Sequence, residues 1–468
     1  MQTTLCTNGR ERVFMAFKGA KDLTKGDELK TVVLFAIPLF LSNLLQQAYN
    51  LTDITIIGNA LGDDALTAIG TVSIIYDLFM SLTFGMSNGF AIVVSKYFGM
   101  NDEKKIRQVV ANTALLSVIW SVAMTLSGTL LLRPIMRLLG TPADVFEIGY
   151  SYAIIMLGFI IFSFAYNIFS ALLRAIGNST APFFFLLISV VSNIFIDILF
   201  VVVLGMGLPG AAIATIMAQT LSAVVSLIYI WKKVPVLHFG KEDIKPNKNM
   251  ILELTSAGIS FALMYAVVNF GTMILQSAIN SLGNITIAAH TTARKISSLC
   301  MMTVGTLANS MATFTGQNHG AGRYDRIRTA LRKVLFFDFG VATFMILLIY
   351  VFGELFVELI SGSTNPDLID TATFYLKFDL PFYYVLAILL IVRCTLQGLG
   401  SKITPIVASI MELGLKLLTA FVLVRLFGYL GIAMCEPIIW TVCAVYILIM
   451  FYNNRHIKAL KVTDRTSS

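Results

Sequence analysis

Val32-Val-Leu-Phe-Ala-Ile-Pro-Leu-Phe-Leu-Ser-Asn-Leu-Leu-Gln-Gln-Ala-Tyr-Asn-Leu-Thr-Asp53-Ile-Thr-Ile-Ile57 is long and apolar enough to cross a bilayer, yet it carries one carboxylate near its end. A spanning helix needs roughly 20 mostly apolar residues. An acid inside such a window is costly unless it faces a polar cavity, which makes Asp53 a candidate for function. The rest of the chain repeats the pattern. Hydrophobic residues make up 57% of 468 and charged residues only 13%, with a mean hydropathy of +0.81. A soluble domain is usually about a quarter charged.

Twelve such windows can be marked: 32–57, 66–94, 109–132, 150–172, 182–204, 211–230, 254–279, 287–314, 334–352, 372–396, 405–427 and 432–452. They predict an all-α polytopic membrane protein. Charge placement orients it. Basic residues gather before the first span (Arg10, Arg12, Lys18, Lys21, Lys25, Lys30), at Lys96–Arg107, at Lys232–Lys248, at Arg323–Lys333 and in the tail (Arg455, Lys458, Lys461, Arg465). The intervening loops are short or acidic, Arg133 and Arg137 being the main exceptions. By the positive-inside rule both termini are expected in the cytoplasm. The net charge of +8 is thus mostly a topology signal. Basic residues spread over separate loops form no nucleic-acid-binding domain. The segment 1–30 has no apolar core and does not read as a cleaved leader. Cys6, Cys300, Cys394, Cys435 and Cys443 show no metal-ligand spacing.

The two halves repeat. Ala68 answers Ala289, Gly99 answers Gly320 and Arg107 answers Arg328, each 221 residues apart, and the segment around Gly177–Pro182 answers that around Gly400–Pro405. Six spans per copy imply two six-helix bundles related by a pseudo-twofold axis along the membrane normal. The expected organisation is a tail at 1–28, a first lobe at 29–231, a cytoplasmic linker at 232–249, a second lobe at 250–452 and a tail at 453–468. Duplicated bundles facing across a cleft suit alternating access, so the halves point to a transporter.

Several segments then resemble the multidrug and toxic compound extrusion family. They are Ile37-Pro-Leu-Phe through Asp53 to Gly58, Leu66-Thr-Ala-Ile-Gly70, Ser95-Lys-Tyr-Phe-Gly99, Leu173-Arg-Ala-Ile-Gly177-Asn-Ser-Thr-Ala-Pro182 and Leu208-Pro-Gly-Ala-Ala-Ile-Ala-Thr215. Within that family the chain is most similar to the bacterial branch of DinF-like and MepA-like exporters. The resemblance implies export of cationic lipophilic compounds across a bacterial cytoplasmic membrane, driven by inward proton or sodium flow. The lipid bilayer and small organic cations are then the partners, with no cofactor, and a single copy is the expected working unit.

Asn193 and Asp197 stand four apart in the fifth window and so share a helix face. The resemblance places a proton or cation site on Asp53, Asn193, Asp197 and Thr215. Their carboxylate, amide and hydroxyl oxygens suit sodium, and buried carboxyls equally suit a proton. The structural alternative is that the acids cap a helix or pair with a buried base. In the sodium-coupled branch the seventh and tenth spans carry acids, whereas 261–270 and 385–392 have none, which directs coupling to the first lobe. Gln46, Tyr49, Asn50, Asp77, Met273 and Gln276 are candidates for a substrate cavity. Glu412 and Lys416, four apart, read as an internal pair, and Arg393 as a snorkelling side chain. His290 reads as a core histidine.

A flippase for a lipid-linked sugar is the alternative within transport, but it would need bases inside the spans to hold an anionic headgroup. An enzyme would need a motif such as His-Glu-x-x-His or Gly-x-Ser-x-Gly, and direct ATP drive a Gly-Lys-Ser/Thr phosphate loop; none occurs.

Overall fold

In lipid every backbone amide must find its partner within the chain, so a sequence of apolar windows has little choice but helix. The computed structural model describes residues 20–458 and bears this out. The readings made for residues before Ala20, including the basic tail, Cys6 and the missing leader, lie outside the described residues, as do those for the tail beyond Lys458.

The first copy consists of α1 (Glu28–Leu61), α2 (Asp63–Gly99), α3 (Glu103–Leu138), α4 (Ala143–Gly158), α5 (Ile160–Ala175), α6 (Thr180–Asp197) and α7 (Gly207–Lys233). The second consists of α8 (Lys248–Ile279), α9 (Asn284–Gly320), α10 (Tyr324–Ser361), α11 (Pro366–Asp379), α12 (Tyr383–Gly398), α13 (Ile403–Phe427) and α14 (Tyr429–Asn453). Each copy breaks its fourth span. In the first, α4 and α5 meet at a 46° bend beside Phe159; in the second, a 3-10 turn at Leu380–Phe382, centred on Pro381, joins α11 to α12. The shared break supports the duplication read from the sequence.

The span count needs a qualification. Among the described residues ten helices, counting α11 with α12 as one, are long and apolar enough to cross a membrane, and the bent α4–α5 pair makes an eleventh. The twelfth expected span, α9, has the length at 37 residues but not the apolarity. Its His290, Arg294, Lys295, Asn309 and Gln317 dilute the window, and two of these, His290 and Gln317, are buried among neighbouring helices. Large apolar side chains such as Leu130, Phe195, Phe336 and Leu426 stay exposed, as a lipid-facing surface requires.

Two compact units emerge. One is built on Ile37–Ala262 and takes in the 232–249 segment and the start of α8. The other is built on the chain from Leu263 onward together with Leu23–Ala36. In the first unit α8 lies against α2 at small residues: a Cβ on Gly89 would strike the backbone of Gly258, and one on Gly85 the backbone of Ala262. Small residues facing each other allow this approach of backbones. The ion pair of Lys96 with Glu253 at 2.6 Å, joined by the Tyr97 hydroxyl at 3.1 Å, fixes the same helix pair. In the second unit the chain at 23–28 is held by the end of α9 and the first turns of α10. Gln317 Oε1 accepts from the Leu23 amide at 2.9 Å, Arg326 donates to the Gly26 carbonyl, and Lys333 pairs with Asp27 and Glu28 at 2.8 and 2.9 Å.

Candidate functional site

Four helices of the first unit bring the expected coupling residues together. α6 carries Asn193 and Asp197, α7 carries Thr215, and α1 carries Asp53 and, one turn earlier, Tyr49. Asn193 Nδ2 donates to Thr215 Oγ1 at 3.5 Å, and that hydroxyl also meets the Tyr49 hydroxyl at 3.3 Å. The carboxyls of Asp53 and Asp197 are side-chain neighbours, with Asn193 beside them. Tyr152 of α4 closes the group from the fourth helix. Asp197 is fully buried and Asn193 and Thr215 nearly so, while Asp53 is half-buried.

The polar bookkeeping is unbalanced in one direction. Among the described residues no donor satisfies Oδ1 of Asp53, Oδ1 of Asn193 or either carboxylate oxygen of Asp197. All four are acceptors. A buried acceptor without a donor costs free energy, and each such group calls for an explanation. A proton or a small cation supplies what they lack. Among the described residues neither Asp197 oxygen nor Oδ1 of Asp53 has a lysine or arginine partner, so the ion-pair alternative does not describe this cluster there.

The backbone changes where the acid sits. α6 ends at Asp197 and the next six residues, Ile198–Val203, widen into π-helical turns, with the Leu204 amide reaching back to the Leu199 carbonyl at 2.9 Å. π-turns inside α-helices are frequent at functional sites. Nothing in the run Ile-Leu-Phe-Val-Val-Val signals it beforehand. A core of Ile57, Val72, Tyr152, Met156, Ile160, Leu208, Ala211 and Ile216 surrounds the cluster and keeps its surroundings apolar.

One turn further along α7, Gln219 accepts a hydrogen bond from Ser163 of α5, with the buried Tyr76 hydroxyl of α2 beside them. Sequence reasoning missed all three, because no single-helix pattern ties a serine, a glutamine and a tyrosine on separate spans. The expected cavity residues fare unevenly. Gln46 and Asn50 are exposed and bonded to each other at 3.4 Å on α1, and Asp77 is exposed on α2. Met273 and Gln276 lie in the other unit, where Gln276 bonds to Asn280 at 2.9 Å.

The second unit overturns three readings. Glu412 does not pair with Lys416: it takes the buried Arg393 at 3.0 Å, and Lys416 turns to Glu436 at 3.6 Å. Arg393 is therefore an interior ion-pair partner with Ser409 alongside, not a snorkelling side chain. The tenth span, moreover, does hold an acid. Asp379 is the last residue of α11, fully buried, just before the Pro381 break. Reading only 385–392 passed over it; the Asp379-Leu-Pro381 break was the available signal. Asp338 of α10 is a further buried carboxyl without a hydrogen-bond donor.

The model of the family described as MatE matches residues 38–199 and again 260–422, one match to each copy. The chain belongs to the MatE family. As a MatE protein it is a transporter, not an enzyme. It is 28% identical over 404 residues to the probable multidrug resistance protein YoeA of Bacillus subtilis, covering 84% of this chain and 86% of that protein. It is 23% identical over 434 residues to the multidrug export protein MepA of Staphylococcus aureus, covering 92% and 94%. Among solved structures, a MATE crystal structure in a bent conformation superposes with a TM-score of 0.87 at 21% identity, covering 94% of this chain and 98% of that one. An outward-facing multidrug resistance MATE family transporter gives 0.86 at 21% identity, with the same coverage. The MatE fold is thus established over nearly the whole chain.

Proposed function

We propose that this MatE protein is an efflux antiporter for lipophilic organic cations, driven by inward proton flow through Asp53 and Asp197. The observation that carries the reading is the set of four donorless acceptor oxygens on Asp53, Asn193 and Asp197, buried beside one another in the first unit. A proton on the carboxyl pair removes a buried charge and supplies a donor at once. Its release restores a negative charge, and a cationic substrate is then attracted to the same unit. Antiport follows when the two ligands compete for one charge. The printed names of YoeA and MepA support drugs as the cargo. An anionic lipid-linked sugar fits poorly, since this cluster presents acids and no base.

The four coupling residues also suit sodium, since acceptor oxygens without donors are what a hard cation binds. Asp53, Asn193, Asp197 and Thr215 would supply them. The reading further places the protein in a bacterial cytoplasmic membrane with both termini inside and a single chain as the working unit. The expected lobes at 29–231 and 250–452 belong to the same reading.

The test is reconstitution. Purified protein in liposomes, loaded with a fluorescent lipophilic cation, receives an imposed pH gradient or an imposed sodium gradient. Cation movement that follows the pH gradient without sodium supports the proposal. Movement that needs sodium and ignores pH selects the sodium reading, and transport of neither kind removes antiport.

A further inference from the structure

The second unit buries a charge cluster that the coupling scheme does not use. Glu436 of α14 is nearly fully buried, and both of its oxygens are taken: Arg294 Nη1 of α9 donates to Oε2 at 2.8 Å, and Lys416 Nζ of α13 stands 3.6 Å from Oε1. Asp379 lies within the electrostatic field of both Glu436 and Arg294, and neither of its oxygens accepts a hydrogen bond among the described residues. Tyr375, one turn before Asp379, and His290, one turn before Arg294, pack ring against ring at 4.7 Å. Two acids and two bases are therefore grouped here, Asp379, Glu436 and Lys416 buried and the Arg294 side chain 26% exposed.

This composition has a consequence for ions. Two buried carboxylates alone repel each other, and the arrangement is relieved by a proton or by a cation between them. Here the cations are side chains. Lys416 reaches its position along a slot on α8, where Gly271 leaves room: a methyl group there would strike the lysine Cδ. Holding a lysine and an arginine inside a membrane protein is costly, and both are paired with Glu436, with Asp379 close by. A sodium ion approaching Asp379 would meet Arg294 beside it and find no free oxygen on Glu436.

We propose that Arg294 and Lys416 are tethered counter-cations that close the Asp379–Glu436 cluster to small cations from solution. The second unit then takes no part in ion selection. Arg294 and Lys416 are in this sense specificity-determining residues: they remove a cation site that Asp379 and Glu436 would otherwise form. The proposal is independent of the coupling role given to Asp53 and Asp197, and its test excludes them.

The test uses full-length protein in which Asp53→Asn and Asp197→Asn silence the first unit, with equilibrium binding of radioactive sodium at mildly alkaline pH as the readout. This background should bind no sodium above a non-specific level. Adding Arg294→Gln and Lys416→Met should create saturable sodium binding, and further Asp379→Asn should abolish it. Saturable binding in the background that Asp379→Asn removes would overturn the proposal. So would a cooperatively melting R294Q/K416M protein that gains none. If that variant does not fold, the background with and without Asp379→Asn still decides. Sodium-dependent thermal stabilisation that requires Asp379 refutes tethered closure, and stabilisation by sodium no greater than by choline supports it.

Discussion

Asn193 and Asp197 share a face of α6, but they are held differently: the Asn193 amide donates to Thr215 Oγ1 at 3.5 Å, while among the described residues Asp197 has no donor on either oxygen. One residue fixes the helix and the other is left free to take a ligand. The π-helical turns that begin right after Asp197 place this division at a point where the helix can change its winding.

On the proposed mechanism Thr215 acts as a positioning residue, and its contacts to Asn193 and Tyr49 predict a measurable share in the rate. Thr215→Val keeps the shape and removes the hydroxyl that meets both Asn193 and Tyr49. A hydrogen bond of about 1 kcal/mol corresponds to a roughly fivefold loss in the initial rate of gradient-driven efflux. Thr215→Ser should restore most of it, and Tyr49→Phe should cost less than Thr215→Val because Asn193 keeps its partner. Wild-type rates in Thr215→Val liposomes would remove Thr215 from the site.

The ion pair of Arg393 with Glu412 predicts a different pattern, one of stability without coupling. Arg393→Met leaves a buried carboxylate without its base and should destabilise the protein by roughly 3–5 kcal/mol. The double variant Arg393→Met/Glu412→Met removes both charges and should recover most of that loss. Chemical unfolding in detergent checks it: additive losses in the double variant would mean that the two side chains do not interact.

These two cases mark where the sequence was legible. Apolar windows and the 221-residue repeat announce the helices and the duplication, because lipid leaves the backbone no other choice. Asp53, Asn193, Asp197 and Thr215 could be named because isolated polar residues stand out in such windows and the family pattern assigns them. Partners are another matter. Glu412 and Lys416 are four apart, and that spacing describes neighbours on an isolated helix surface. In a packed interior the nearest opposite charge lies on another helix, so Glu412 goes to Arg393 and Lys416 to Glu436. Asp379 was hidden for a related reason, since a break in the span places the acid at a helix end that the apolar run around 385–392 does not include. The same mixing of polar residues kept α9 from qualifying as a membrane span by apolarity.

Orientation can be tested at exposed loop positions. Lys104→Cys and Lys241→Cys should react with an impermeant thiol reagent only after the membrane is opened, and Asp63→Cys should react in intact cells, if the basic loops face inward as the positive-inside rule predicts. Labelling of Lys104→Cys in intact cells, with Asp63→Cys protected, would invert the arrangement.

The central claim is that the carboxyls of Asp53 and Asp197 hold the coupling ion. The most direct measurement is gradient-driven efflux of a fluorescent lipophilic cation by purified Asp53→Asn and Asp197→Asn proteins in liposomes, with thermal stability in detergent followed in parallel. Asparagine keeps the size of each side chain but cannot gain and lose the charge that a proton neutralises. Both variants should insert and melt like the wild type, bind the cation, and lose the response of efflux to an imposed pH gradient. Wild-type gradient-driven efflux by both variants would contradict the account.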